Sequence, residues 1–106
     1  MGLQETTSLY DRRGEYTKAL FQLGKLVMTP GALKCMVEYA IDPVKLIQRH
    51  AQGNWGDLSD DDKKENDLSV NSDLRILSAY GAGEIKLWII TEADRSATTI
   101  LRPDEY

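Results

Sequence analysis

Glu84-Ile85-Lys86-Leu87-Trp88-Ile89-Ile90-Thr91-Glu92-Ala93-Asp94-Arg95-Ser96-Ala97-Thr98-Thr99-Ile100-Leu101 holds the longest apolar run of the chain, one of its two tryptophans and a polar turn between two β-prone segments. It reads as a β-hairpin. Successive side chains of a pleated strand alternate between faces, so Ile85, Leu87 and Ile89 share one face and Lys86, Trp88 and Ile90 the other. Both faces are largely apolar. A strand apolar on both faces needs cover on both, which predicts Glu84 to Glu92 as the centre of a sheet.

Working outward, Leu74 to Tyr80 reads as the preceding strand, Gly81-Ala82-Gly83 as a tight turn and Ser96 to Leu101 as the last strand. Upstream, Tyr16 to Met28 admits two readings: Tyr16, Leu20 and Leu23 fit a short helix, whereas Phe21 to Met28 fits a strand interrupted by Gly24. A strand near Leu20 to Met28 is the reading favoured. Thr29-Pro30 and Asp42-Pro43 each place a capping oxygen before a proline at the first helical position, so each starts a helix. In the first, Leu33, Met36, Val37, Ala40 and Ile41 form an apolar stripe expected to lie against the sheet. Val44, Leu46, Ile47 and Ala51 form a narrower one in the second, which Gly53 stops. Asn54 to Leu58 reads as a loop. Ser59, followed by Asp60, Asp61 and Asp62, gives a capping-box pattern and an acidic first turn for a third helix to about Val70.

The expected fold is therefore one α+β domain over residues 16–106. An antiparallel sheet, made of the three-stranded C-terminal meander and an N-terminal strand, is covered by two to three helices. Residues 1–15, polar and without apolar period, are expected to be a poorly ordered lead-in.

At 106 residues and 42% apolar content the chain suits one core. No apolar run approaches a spanning helix and the N-terminus lacks a signal peptide's apolar centre, so a soluble cytoplasmic protein without membrane association is expected. A lone Cys35 and a single histidine give no zinc set, and neither structural metal nor cofactor is expected. The net charge is −4, and residues 51–71 carry six acidic groups against two basic ones. Without a basic stripe to neutralise phosphates, duplex binding is disfavoured.

Two constellations are candidates for function. Trp55, with Asp57 beside it, sits in a loop, where an indole serves either as a buried anchor or as a recognition ring for a base or a partner surface. His50 is the one side chain with an ordinary pKa near neutrality. Glu92 and Arg95 at the hairpin turn, with Arg75 on the neighbouring strand, would complete a base, an acid and a phosphate-binding cation. Such a set suffices for metal-free RNA cleavage through the 2′-hydroxyl. The duller readings are a helix-end cation and a solvated turn.

Thr-Pro-Gly-Ala-Leu at 29–33, Arg-His at 49–50, Gly-Asn-Trp-Gly-Asp-Leu at 53–58, Asn66-Asp67 and the block from Trp88 to Leu101 resemble a family of small plasmid-related proteins of plasmids, integrative elements and phages. The resemblance runs from about Leu23 to Tyr106. It implies a mobile-element setting and brings no chemistry of its own; within that setting the expected role is that of an accessory protein, regulatory or anti-defence, that binds another macromolecule, a protein partner. In layout, strand, helices and then a meander, the chain is also similar to RelE-type and barnase-like ribonucleases. That likeness implies RNA as substrate, with His50, Arg75, Glu92 and Arg95 as the site.

Overall fold

The computed structural model describes residues 8–10 and 16–106, with side chains from residue 19 onward. The elements in order are β1 (Ser8–Tyr10), β2 (Tyr16–Lys18), β3 (Lys25–Met28), α1 (Pro30–Glu38), α2 (Pro43–Ala51), α3 (Asp60–Ser69), β4 (Ile76–Tyr80), β5 (Leu87–Thr91) and β6 (Ala97–Leu101). Short 3-10 turns occupy Gly83–Ile85 and Pro103–Glu105. The class is α+β, as the sequence predicts. The lead-in expected over residues 1–15 lies outside the described residues, except that β1 pairs antiparallel with β2.

The main sheet has the order β3-β6-β5-β4. The meander β4-β5-β6 is antiparallel, as expected, and β5 lies inside it. The N-terminal strand corrects the expectation twice. It is parallel to β6, and it spans four residues instead of the whole of Leu20 to Met28. No tight turn ties β3 to β6: three helices and two strands intervene, and a crossover of that length permits a parallel neighbour. Gly24 ends the strand's upstream reach. It adopts φ +65°, and a Cβ there would sit 2.4 Å from the backbone carbon of Ser96. Side chains before it, Ala19, Phe21 and Leu23, enter the core from an irregular segment that Leu20 N–H pins to the Ala51 carbonyl.

The central strand is shorter than predicted. Tyr80 pairs with Leu87, so residues 81–86 form a loop and Ile85 is exposed. In register, Ile76, Ser78, Tyr80, Leu87, Ile89, Thr91, Thr98 and Ile100 share the face beneath the helices. Ala32, Cys35, Met36, Leu46, Ile47 and Ala51 descend on it to make one buried cluster with Phe21 and Trp55. The opposite face carries Leu77, Ala79, Trp88, Ile90, Thr99 and Leu101; Trp88 is half-buried and meets Tyr106 edge-on at 5.7 Å.

Each helix starts where its cap predicts. Thr29 Oγ1 accepts from Ala32 N–H, an Asp42 carboxylate oxygen from Val44 N–H, and Ser59 Oγ from Asp62 N–H. α1 ends earlier than its apolar stripe suggests. Ala40 takes φ 54°, and Ala40 N–H and Ile41 N–H return to the carbonyls of Val37 and Met36, a Schellman ending built on alanine. An L side chain in that left-handed well is strained, so Ala40→Gly is expected to stabilise the fold by about 1 kcal/mol. The urea midpoint should rise accordingly; an unchanged or lower midpoint contradicts the assignment.

The outer edge of β4 is closed by two devices. The Asn66 amide donates to the Leu77 carbonyl at 2.6 Å and accepts from Leu77 N–H at 3.2 Å, standing in for a neighbouring strand. Trp55 C=O and Asp57 N–H then bracket Ala79 at 3.1 and 2.7 Å. This explains how the nearly all-polar α3 is held: Asn66 and Ser69 are its buried residues. Among the described residues no helix is long and apolar enough to cross a membrane.

Candidate functional site

His50 is set by the last turn of α2 into the core, fully buried, against the sheet face that carries Ser78, Thr91 and Thr98. Its Nδ1 lies 2.6 Å from Ser78 Oγ and its Nε2 2.8 Å from Thr91 Oγ1. Thr91 Oγ1 lies 2.7 Å from Thr98 Oγ1, which donates to the Leu23 carbonyl at 2.7 Å. That last bond orients the whole chain of hydrogen bonds. Because the Thr98 proton is committed to a carbonyl, Thr98 must accept from Thr91, and Thr91 in turn from Nε2–H of His50. Nδ1 is then the acceptor, and Ser78 donates to it. The imidazole is neutral with its proton on Nε2, and burial pushes its pKa down from 6.5 to about 3. Phe21 meets the ring edge-on at 5.3 Å and Trp55 at 5.9 Å, closing it from the helix side. The Ser78–His50 pair has the separation of a nucleophile and its base, but both are buried in the packed interior.

Arg95 stands at the hairpin turn with φ 61°. Its Nη1 donates to the carbonyls of Leu74, Glu92 and Ala93, and its Nη2 to those of Ser69 and Ser72, at 2.6 to 3.2 Å. The guanidinium thereby neutralises the C-terminal end of α3 and ties it to the hairpin. With all four Nη protons engaged, only Nε–H is left to offer a phosphate.

Arg75 and Glu92 do come together, Nε to Oε1 at 3.9 Å, both about half exposed. Arg75 also donates to the Tyr106 hydroxyl. By strand parity this pair lies on the sheet face opposite the helices, with Leu77 and Ile90, whereas His50 lies beneath the other face. The sheet stands between the two. The four candidates His50, Arg75, Glu92 and Arg95 thus share no cleft, and no position lets a base and an acid from this set flank one phosphate.

Trp55 is buried, its ring roughly parallel to Phe21 at 6.2 Å and its Nε1–H donating to Asp67 Oδ1 at 2.9 Å. The anchor reading holds, and the indole has no face free for a base or a partner. Asp57 is exposed and accepts from Gly81 N–H at 2.9 Å, closing the loop after β4. Thr98, which β-propensity alone would explain, is instead the residue that orients the buried network. Hydroxyls at Ser78, Thr91 and Thr98, on a strand face otherwise filled by isoleucine, leucine and Tyr80, are the signal the sequence offers.

Two surface features were not singled out by the sequence. The first is a cleft of about 300 Å³ lined by Gly31, Lys34, Cys35, Glu38, Tyr39, Glu84 and Arg102. Tyr39 Oη donates to Glu84 Oε1 at 3.4 Å, and the Glu38 and Glu84 carboxylates raise the Tyr39 pKa. Beside it the Glu105 carboxylate accepts from Thr29 Oγ1 at 2.6 Å and from Gly31 N–H at 3.0 Å, filling the N-terminus of α1. The Thr29 hydroxyl, with the Arg102 backbone N–H, holds the Glu105 pKa below its ordinary value. Two cations, Lys34 and Arg102, and two carboxylates, Glu38 and Glu84, line this cleft, so it presents no net charge of one sign. Among the described residues, no three His, Cys, Asp or Glu side chains converge as a metal site would require.

The second feature is the outer side of α1. The helix turns Ala32, Cys35 and Met36 inward, while Leu33 and Val37, expected to face the sheet, point to solvent. Together with Pro30, Lys34 and Glu38 they line a shallow, mainly apolar depression of about 550 Å³. Comparison of the chain with protein-family models, with curated proteins and with solved structures finds no match.

Proposed function

We propose that this protein is an accessory protein of mobile genetic elements that works by binding another macromolecule, a protein, through the outer face of α1. The observation that carries the proposal is that α1 is apolar on two sides and only one is spent on the core. Leu33 is 49% exposed and Val37 74%, next to each other at i and i+4. A surface helix of a small domain needs one apolar stripe; a second, rimmed by the opposite charges of Lys34 and Glu38, suits an interface of apolar centre and polar edge. The mobile-element setting is supported by the sequence blocks at 29–33, 53–58 and 88–101. Residues of the first block form the start of this same helix.

The test is capture from a host lysate by the parent protein and by the Leu33→Glu/Val37→Glu variant, with bound protein and RNA both identified. The parent should retain a protein that the variant loses by more than about tenfold, since a charge at an interface centre costs several kcal/mol. Both forms should melt alike, because neither side chain is in the core. Equal capture by parent and variant overturns the assignment of the face. Cleavage of total RNA in EDTA by the parent overturns the binding class.

A further inference from the structure

We propose that two copies of this chain join edge to edge through β3, extending the four-stranded sheet into one continuous sheet of eight. The two edges of the sheet are treated differently. At β4 the outward backbone groups of Leu77 and Ala79 are taken up by Asn66, Trp55 and Asp57. At β3 no such cover exists among the described residues, and Leu26, Val27 and Met28 are 50%, 37% and 45% exposed. Lys25 N–H and Thr29 N–H donate to β6, at Ser96 and Ile100, so the odd-numbered residues face the sheet. The N–H and C=O groups of Leu26 and Met28 therefore point outward, a short row with the spacing a further strand requires.

A second copy fits this row because the strand complements itself. A twofold axis through Val27 makes the pairing antiparallel, with Leu26 opposite Met28 of the other copy and Met28 opposite its Leu26. Each is a hydrogen-bonded pair, giving four N–H···O bonds in all. Val27 then faces its own counterpart, and Lys25 faces Thr29, so no like charges meet. Shifting the axis to Leu26 would leave Met28 opposite Gly24 and bury less apolar surface. On the helix side the pairing brings Leu26 and Met28 of both copies into one apolar strip. Because α1 packs on β6, the two α1 helices stand about three strand spacings apart, about 14 Å. That exceeds the 8–10 Å of packed helices, roughly, so the outer face of α1 stays open and the pairing is independent of the binding role proposed above.

Sedimentation across micromolar to sub-millimolar concentration tests the pairing directly. The parent is expected to approach twice the 11.9 kDa of one chain. Leu26→Pro removes an outward N–H and spares the ladder to β6; it should give a monomer with an unchanged far-UV spectrum. Should that variant fail to fold, Val27→Cys decides. In the proposed register its Cα lies about 4.5 Å from its counterpart, within disulfide range, whereas Lys25→Cys lies about 13 Å from its own. Mild oxidation should therefore crosslink Val27→Cys more than about tenfold faster than Lys25→Cys, with Cys35 buried and silent in both. A parent that is monomeric throughout, a dimer that survives Leu26→Pro, or equal crosslinking at the two positions overturns the proposal.

Discussion

Between pH 6.5 and about pH 4 the fold is expected to lose roughly 3 kcal/mol through His50 alone, because its pKa is pushed from 6.5 to about 3 in the folded state. Above pH 6.5 neither folded nor unfolded chain protonates this imidazole, and stability is whole. As pH falls below 6.5 the unfolded chain binds a proton that the folded one refuses. Stability therefore drops by about 1.4 kcal/mol per pH unit until the folded pKa is reached. Refusal has a structural cause: Nδ1 accepts from Ser78 and the ring is fully buried against Phe21 and Trp55, so an imidazolium would have to break that bond and lie unsolvated. Against a usual total of about 5 to 15 kcal/mol, this is a large share. Urea midpoints measured down the pH scale should show the slope in the parent. In His50→Gln, weaker at neutral pH, the His50 share of the slope should be gone, leaving the shallower loss near pH 4 that carboxylates such as Glu105, held below its ordinary pKa, contribute. An imidazole that titrates near 6.5 by NMR in the folded protein sinks the whole reading of the buried network.

What the sequence made legible was local. Thr29, Asp42 and Ser59 announce their helices because a capping oxygen reaches a backbone N–H within three residues, and all three do so. The apolar run from Leu87 to Ile90 announces an interior strand for the same reason, since alternation is a property of neighbours. What stayed hidden depends on partners far along the chain. Parallel pairing of β3 with β6 joins residues about seventy positions apart, with no turn to signal it. α1 carries apolar residues round more than half its circumference, and periodicity alone does not say which stripe faces inward. His50 and Arg95 carry roles that no local pattern encodes. The first is satisfied by hydroxyls from two strands, one of them oriented by a third, that meet only once the register is set, and the second by five backbone carbonyls, which have no sequence signature. Charge type suggested catalysis at both positions; burial and saturation gave them structural work.

Truncating Trp55 to alanine is expected to cost about 3 to 5 kcal/mol, the range for emptying a large aromatic site in a core. Three things are lost together. The ring packs on Phe21 and on the edge of His50, so its removal opens a void beside the buried network. Its Nε1–H leaves Asp67, unfastening the loop from α3. The backbone of residues 55–57 brackets Ala79, so a loosened loop also uncovers the outer edge of β4. Trp55→Phe separates these effects: it keeps most of the apolar volume and loses the hydrogen bond, which should cost about 1 kcal/mol more than the volume change alone. Because the indole is closed off, Trp55→Phe should capture the same protein partner as the parent, in contrast to Leu33→Glu/Val37→Glu. Denaturant titration and partner capture on the same preparations check both halves. A Trp55→Ala loss below about 1 kcal/mol would show that the loop is not anchored through this ring. Lost capture by a well-folded Trp55→Phe would move the binding face from α1 to the loop.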